Sequence, residues 1–269
     1  LPGLTKPAAL IGVAEKGFLS VQLKVGATPG HSSMPPPQGQ SAIAMMSAAL
    51  KRLDDDQLPA GIRGVAQEMF QTLAPEMQGF SRVALSNLWL FGPLVQKQLE
   101  ASASSNAMLR TTTALTVIQA GNKDNVLPGR AEAIVNFRLL PGDTVASITE
   151  HVENAAKAAA PNGKFELSNL PGVSEASPVS PTQSASYQLI NKTVRELFPG
   201  TVVAPGLMIG ATDSRHMIEI ADHVYRFSPV RAKPEDLPRF HGTNERITEA
   251  NLVELIRFYH RLVQQAAGA

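Results

Sequence analysis

Four short stretches carry the residue types from which a site is built. The first is Thr28 to Pro36, "TPGHSSMPP", where glycine and prolines shape a turn with His31 and two serines at its tip. An imidazole on such a turn could donate to a developing oxyanion, or be a solvated turn histidine. The second is "GNKDNVLPG" with Arg138 on the strand that follows. Asn125 could orient a carbonyl and Arg138 could clamp a carboxylate through its planar fork; an Asx turn and a surface ion pair are the plainer alternatives. The third is "GATDSRHM", Gly210 to Met217, with Thr212, Asp213, Ser214 and Arg215 after a hydrophobic run. This suits a polar pocket wall, or an ordinary helix N-cap. The fourth is "RFHGTNERI", Arg239 to Ile247, where Gly242 allows close approach to His241 as a metal ligand or as a lone structural histidine. His216 is a weak further candidate, and His151, His223 and His260 are assigned no role.

The elements that must position these groups can be read from periodicity. Apolar residues from Phe18 to Val25 predict a strand, after a shorter apolar run from Ala8 to Ala14 that reads as a buried strand. "GQSAIAMMSAALKRL" has helical spacing, and two more helical stretches lie around "GVAQEMFQTLAPEM" and "ALSNLWLFGPLVQKQLEA". Trp89, with Leu88, Leu90 and Phe91, reads as core or a helix-packing patch, substrate contact being the alternative. "TTTALTVIQAG" and "RAEAIVNFRLL" predict two strands, the second alternating Ala131, Ala133, Val135 and Phe137 against Glu132, Ile134, Asn136 and Arg138. "TVASITEHVENAAKAAA" predicts an amphipathic helix and "GKFELSNL" a closing strand, giving the order β-α-(helical insert)-β-β-α-β from Phe18 to Leu170. "PGVSEASPVSPTQS" breaks the pattern; beyond it come a helix ("YQLINKTVRELF"), strands at "TVVAPGLM" and "HVYRFSP", and a last helix from about Thr248 to Gln265.

Composition narrows the function classes. With 269 residues, 43% hydrophobic and 17% charged, the chain can bury a sizeable core. A formal net charge of +1 gives no reason to expect nucleic acid or an anionic membrane as the main partner. No apolar run approaches the ~18 residues of a spanning helix. The absence of cysteine excludes disulfides, thiolate nucleophiles and cysteine metal sites, so any metal must sit on histidine and carboxylate. H-E-x-x-H, Walker A, G-x-S-x-G and G-x-G-x-x-G are all absent.

Taken in order, "IGVAEKG", "PGHSSMPP", "SNLWLF", "LRTTTALTVIQAG", "NVLPGRAEAIVNFRLLPGDT", "SPVSP", "VVAPGLMIGATDSRHM", "YRFSPV" and "RFHGTNERI" resemble the two-zinc aminoacylase/carboxypeptidase family. The likeness is strongest to its Gly-Xaa carboxypeptidase and N-acyl-amino-acid hydrolase branch. The resemblance implies an α/β protein in which an α+β lid, a split βαβ four-stranded sheet with a helical insertion, interrupts a layered α/β zinc-hydrolase domain. Residues 1–17 would end an N-terminal catalytic segment, 18–170 would form the lid or dimerisation domain with its insertion at about 54–109, and 171–269 would return to the catalytic domain.

By the same resemblance, His31 is similar to the lid histidine that stabilises the scissile carbonyl oxygen, in several members from the neighbouring subunit. Asn125 and Arg138 match the residues holding the substrate's carbonyl and carboxylate, Gly210 to Arg215 the substrate-pocket loop, and His241 the last metal ligand. The family's other metal ligands and its general base precede the lid. The residues before Phe18 contain no histidine and no aspartate, and Glu15 in "AEKG" does not match the Glu-Glu motif of the base. The implied molecule is therefore the C-terminal part of a hydrolase that cleaves the amide bond of peptides or N-acyl amino acids bearing a free carboxylate. The complete enzyme would hold two zinc ions; this chain alone would hold no stable dinuclear site and be inactive without the N-terminal part. A homodimer through the lid is implied, and secretion, common in that branch, makes an extracytoplasmic setting the expectation. The rival reading is a non-catalytic dimerisation or acyl-amino-acid-binding module.

Overall fold

The computed structural model describes residues 3–268. Strand β1 (Ala8–Glu15) is followed at once by β2 (Gly17–Gly26) and the short β3 (Gly30–His31). Helices α1 (Ala42–Asp55), α2 (Gly64–Leu73), α3 (Gly79–Ser86), α4 (Leu88–Glu100) and α5 (Ala103–Leu109) come next. Strands β4 (Thr112–Ala120), β5 (Val126–Leu127) and β6 (Arg130–Leu139) lead to α6 (Val145–Ala159) and β7 (Phe165–Asn169). The chain then forms α7 (Ala185–Leu197), β8 (Val202–Met208) and α8 (Glu249–Ala267).

The larger sheet is antiparallel, in the order β4-β6-β2-β7. Its alternation does the work anticipated from the sequence. Leu19, Val21, Leu23 and Val25 of β2 and Ala131, Ala133, Val135 and Phe137 of β6 are all buried on one face, against α1 and α6. Ser41 caps α1 by accepting from the Ala44 N–H, and Thr144 with Ser147 forms a reciprocal capping box at α6. Strand β4 is the outer neighbour of β6; its register slips between Leu115 and Val117, and Leu115, Val117 and Ile118 are exposed.

Strands β1 and β8 pair in parallel, from Ala8 against Val202 to Glu15 against Met208. Parallel neighbours need a crossover, and here the crossover is everything between them, the antiparallel sheet included. Ile11, Val13, Ala14 and Val203 pack with Tyr187 and Val194 of α7 and Phe258 of α8. Met69, Phe70 and Leu73 of α2 join Val202 and Ala204 of β8 in a second cluster, so the helical insertion also leans on this pair.

Two expectations need correction. "HVYRFSP" forms a single bridge, Arg226 to Gly12, rather than a strand. Ser180 explains it: its hydroxyl accepts from Val224 N–H at 2.9 Å and donates to Val224 C=O at 3.0 Å, taking both groups out of any ladder. Trp89 is no core residue; it is 83% exposed, while Ala84, Leu85 and Val95 fill the interior of its hairpin. A hydrophobic run on an amphipathic helix does not reveal which flank faces inward.

Candidate functional site

The polar candidates separate into two places. The first lies where the chain passes from β1 to β2 and later returns. Glu15, at the end of β1, is buried with a carboxylate surrounded by donors: Thr212 N–H at 2.9 Å, Ser214 Oγ at 3.0 Å, Arg226 Nε at 3.2 Å and, in closer contact, the Thr212 hydroxyl. Its main chain is held as firmly, its N–H donating to Ser177 Oγ at 2.8 Å and its C=O accepting from Ser177 N–H at 2.9 Å. Arg226 Nε also reaches Ser214 Oγ at 2.7 Å and Nη1 reaches Val224 C=O at 3.2 Å, while its buried Nη2 has no partner among the described residues. Thr212 caps the turn Asp213–Met217, so this loop is fixed to the first strand through one carboxylate.

The next residues extend this cluster. Lys16 is buried and donates through Nζ to the carbonyls of Ala107 and Arg110, both at 2.9 Å. Burial, with the charge of Arg138 adding to it and Asp143 opposing it, pushes its pKa down to about 8. Gly17 is where the outgoing and returning chains touch: a Cβ there would meet Ala176 N and Ser174 O at 2.6 Å. Phe18 and Ser174 exchange both main-chain bonds, at 2.8 and 2.9 Å. Arg138, register partner of Phe18, lays its guanidinium over that ring at 4.7 Å, and burial alone lowers its pKa. Arg215 is exposed, its Nε 3.3 Å from His216 Nε2, and Asp213 is exposed beside it.

The second place is the ribbon of β3 and β5, where His31 faces Val126 in register and Ser32 N–H donates to Asn125 C=O at 3.1 Å. The structure thus brings His31 and Asn125 together, both exposed. His31 Nδ1 accepts from Ser33 N–H at 3.2 Å and lies 2.8 Å from Ser33 Oγ. An acceptor Nδ1 puts the proton of a neutral ring on Nε2, the nitrogen then able to donate to an incoming oxygen.

Arg138 is not at this place. It lies near the opposite end of β6 from the ribbon, eight residues beyond Arg130, or about 26 Å at ~3.3 Å per residue. His241 is separate again, exposed on a turn with φ 57° and followed by Gly242 N–H donating to Arg239 C=O at 2.8 Å. Among the described residues no group of three or more His, Asp or Glu could hold a metal ion. The donors present therefore do not make a metal site; His241 can offer one ligand.

Sequence reading set Glu15 aside and passed over Lys16, Ser177 and Arg226. The available signal was an acid and a lysine closing an otherwise apolar strand, where charged side chains are buried only with partners.

Residues 13–164 match the peptidase dimerisation domain of the M20 family. The chain is 41% identical, over 268 residues, to the N-fatty-acyl-amino acid synthase/hydrolase PM20D1 of Xenopus tropicalis, covering 99% of this chain and 51% of the relative. It is 38% identical over 263 residues to the probable carboxypeptidase S-like 2 of Dictyostelium discoideum, covering 98% of this chain and 49% of that protein. The chain thus spans about half the length of the curated relatives it matches. Among solved structures, human carnosine dipeptidase 1 superposes with a TM-score of 0.62 at 16% identity, over 99% of this chain and 58% of that one. The M20 family metallo-carboxypeptidase Sso-CP2 from Sulfolobus solfataricus gives 0.63 at 15% identity, over 96% and 60%. With a dimerisation-domain match across more than half its residues and full-span likeness to hydrolases of that kind, the chain belongs to the M20 peptidase family.

Proposed function

We propose that these residues are the lid and the returning catalytic half of a hydrolase that cleaves the amide bond of peptides or N-acyl amino acids carrying a free carboxylate. The hydrolase names of its relatives support the reaction class. The observation that carries the arrangement is that Arg138 lies eight residues, or about 26 Å, along β6 from Arg130, the end of the strand nearest in the chain to the exposed His31–Asn125 ribbon. One small substrate cannot touch both ends of one chain. A second copy resolves this. The outer edge of β4, with Leu115, Val117 and Ile118 exposed, has the unpaired, apolar character of a sheet edge awaiting a partner. Its end runs through the loop at Asn125 into the ribbon.

In the proposed homodimer, His31 and Asn125 of one chain serve the substrate bound at the other chain's first site. There Arg138, with Arg215 on the loop from Gly210 through Thr212, Asp213 and Ser214, receives the substrate carboxylate. His31 Nε2–H donates to the carbonyl oxygen as it gains charge, with Asn125 beside it. Glu15, Thr212 and Ser214 act one step removed, fixing the loop. His241 is proposed as a single metal ligand, its partners lying outside the described residues; residues 18–170 are the lid and 171–269 the returning half. By themselves these residues are not expected to turn over substrate.

The test is complementation in the full-length protein. His31→Ala and Arg138→Ala chains, each of strongly reduced activity, are mixed, dissociated and reassociated. Exchange of His31 between chains predicts that mixed dimers regain one working site, and activity on an N-acyl amino acid returns. If both groups act within one chain, the mixture stays at the level of the separate variants and the arrangement is wrong.

A further inference from the structure

The helical insertion α2–α5 belongs to one unit by chain order and to another by packing. It leaves the antiparallel sheet unit after α1 and rejoins it at β4. Yet Met69, Phe70, Leu73 and Leu109 share a cluster with Val202 and Ala204 of β8, and Val65 joins the cluster of Ile11 and Val13 on β1. The core of the antiparallel sheet, between its strands and α1 and α6, includes none of these insertion side chains. Polar ties run the same way. Thr182, ahead of α7, donates to Glu68 Oε1 at 2.6 Å, and Gln78 N–H donates to Gly3 C=O, ahead of β1, at 2.9 Å.

The chain therefore passes between the two units four times, and hydrogen bonds set these passages side by side. Residues 15–18 and 174–177 bond to each other, through Phe18 with Ser174 and Glu15 with Ser177. The insertion's entry and exit bond through Gly61 N–H and Leu109 C=O at 3.0 Å. Lys16 joins the first pair to the second. Its buried ammonium donates to the carbonyls of Ala107 and Arg110, both at 2.9 Å, at the end of α5 where carbonyls lack helical partners. Just beyond, Thr111 Oγ1 accepts from Leu140 N–H at 2.7 Å and fixes the start of β4 to the turn after β6. Units joined by one pair of crossing chains can rotate about that pair as a hinge. Rotation here would pull α2 from β8 or part Lys16 from α5, and a buried ammonium stripped of its acceptors is costly.

We propose that the insertion is a brace and Lys16 its pin, a positioning residue that holds the antiparallel sheet at a fixed angle to the β1–β8 pair. Arg138 stands on the sheet side of the joint and Arg215 on the loop that follows β8, so this angle sets the gap between the two guanidinium groups. That consequence rests on the reading of both as carboxylate partners; the fixed angle does not.

The experiment reads the angle without turnover. Spin labels are placed on Asn154→Cys of α6 and Lys192→Cys of α7, both exposed positions, in full-length protein with any cysteine elsewhere replaced. Dilution with unlabelled protein makes each measured pair lie in one chain. One narrow distance distribution is expected, unchanged when an N-acyl amino acid is added. A broad distribution, or a shift of several ångströms on addition, overturns the brace. Lys16→Met should broaden the distribution and raise KM several-fold with a smaller fall in kcat, because binding must then select one angle among several. Lys16→Arg, which restores two donors, should narrow it again. A Lys16→Met protein that loses thermal stability but keeps the narrow distribution removes Lys16 as the pin. A narrow distribution that Lys16→Met broadens, in a protein without amide hydrolase activity, upholds the brace and overturns the assigned reaction instead.

Discussion

The junction around Glu15 and the ribbon bearing His31 are built on opposite plans. At the junction every polar group of the Glu15 carboxylate is answered from within the chain, by Thr212, Ser214 and Arg226. At the ribbon, the His31 ring is held only by its near neighbour Ser33, and one nitrogen is left to act on something else. Buried polar groups are costly unless partnered, and apart from Arg226 Nη2 the groups here are partnered, so the junction behaves as a structural unit with most of its chemistry spent on position. The ribbon contributes little to stability and keeps its hydrogen-bonding capacity for a partner. Substitutions should therefore divide cleanly: those at the junction change stability first, those at the ribbon change activity first.

The largest effect is expected from Glu15→Ala. Arg226 and Glu15 side chains are 4% and 5% exposed, so removing the acid strands a buried guanidinium. A loss of about 3–5 kcal/mol in denaturant unfolding is expected. Replacing both partners, Glu15→Leu with Arg226→Met, should recover most of it. A loss below about 1 kcal/mol for the single change would mean that the junction is not the structural unit described.

Lys16 sharpens the same side of the comparison through pH. Its folded pKa of about 8 lies below the usual 10.5, so the folded state binds fewer protons than the unfolded one between these values. Stability must then rise with pH across that interval, the burial penalty being full below pH 8 and fading above it. Tyr187, raised by burial to about 12 from 10, acts oppositely above pH 10, where the folded state keeps a proton the unfolded state gives up. The window for Lys16 is thus pH 8 to 10, with a gain of roughly 2 kcal/mol at ~1.4 kcal/mol per pKa unit. Lys16→Met should flatten the profile there; an unchanged slope would assign it to other groups.

On the other side, His31→Ala in the full-length protein should cut kcat/KM by at least about tenfold, losing one oxyanion donor costing ~10²–10³. Unfolding free energy should move by less than about 0.5 kcal/mol, because the ring is exposed and bonded only locally. Asn125→Ala should behave alike. Equal damage to stability and rate would dissolve the contrast between the two regions.

What the sequence revealed follows the same division. The antiparallel sheet was legible because β6 alternates along its length, β2 does so in part, and α1 and α6 carry plain caps, so these local patterns agree with the fold. Asn125 and His31 were visible as polar residues on shaped turns, though their adjacency depends on a two-residue pairing that no periodicity encodes. The junction was hidden for a physical reason. Glu15, Ser177, Thr212 and Arg226 are spread along the chain and meet only because β1 and β8 run parallel across a long crossover. "HVYRFSP" has the composition of a strand, yet the Ser180 hydroxyl intercepts its bonding groups, a competition invisible in the stretch itself. The outward position of Trp89 is not legible in its stretch, because hydrophobicity marks a face without saying what meets it.

The smallest predicted effect tests whether the ribbon's reserve is directed at a second copy. Ile118 on β4 is 57% exposed, and β4 is the outer strand of its sheet. Ile118→Lys places a cation at an edge that, in a homodimer, would approach its own image, where like charges repel. The dimer dissociation constant measured by sedimentation should rise about tenfold, or ~1.4 kcal/mol, with monomer stability unchanged. Activity should then fall on dilution earlier than in the unmodified protein, since each site depends on His31 arriving from the other chain. Weaker association without loss of activity on dilution would place His31 in its own chain's site and leave the 26 Å separation, about eight residues of β6, to be closed by some other motion.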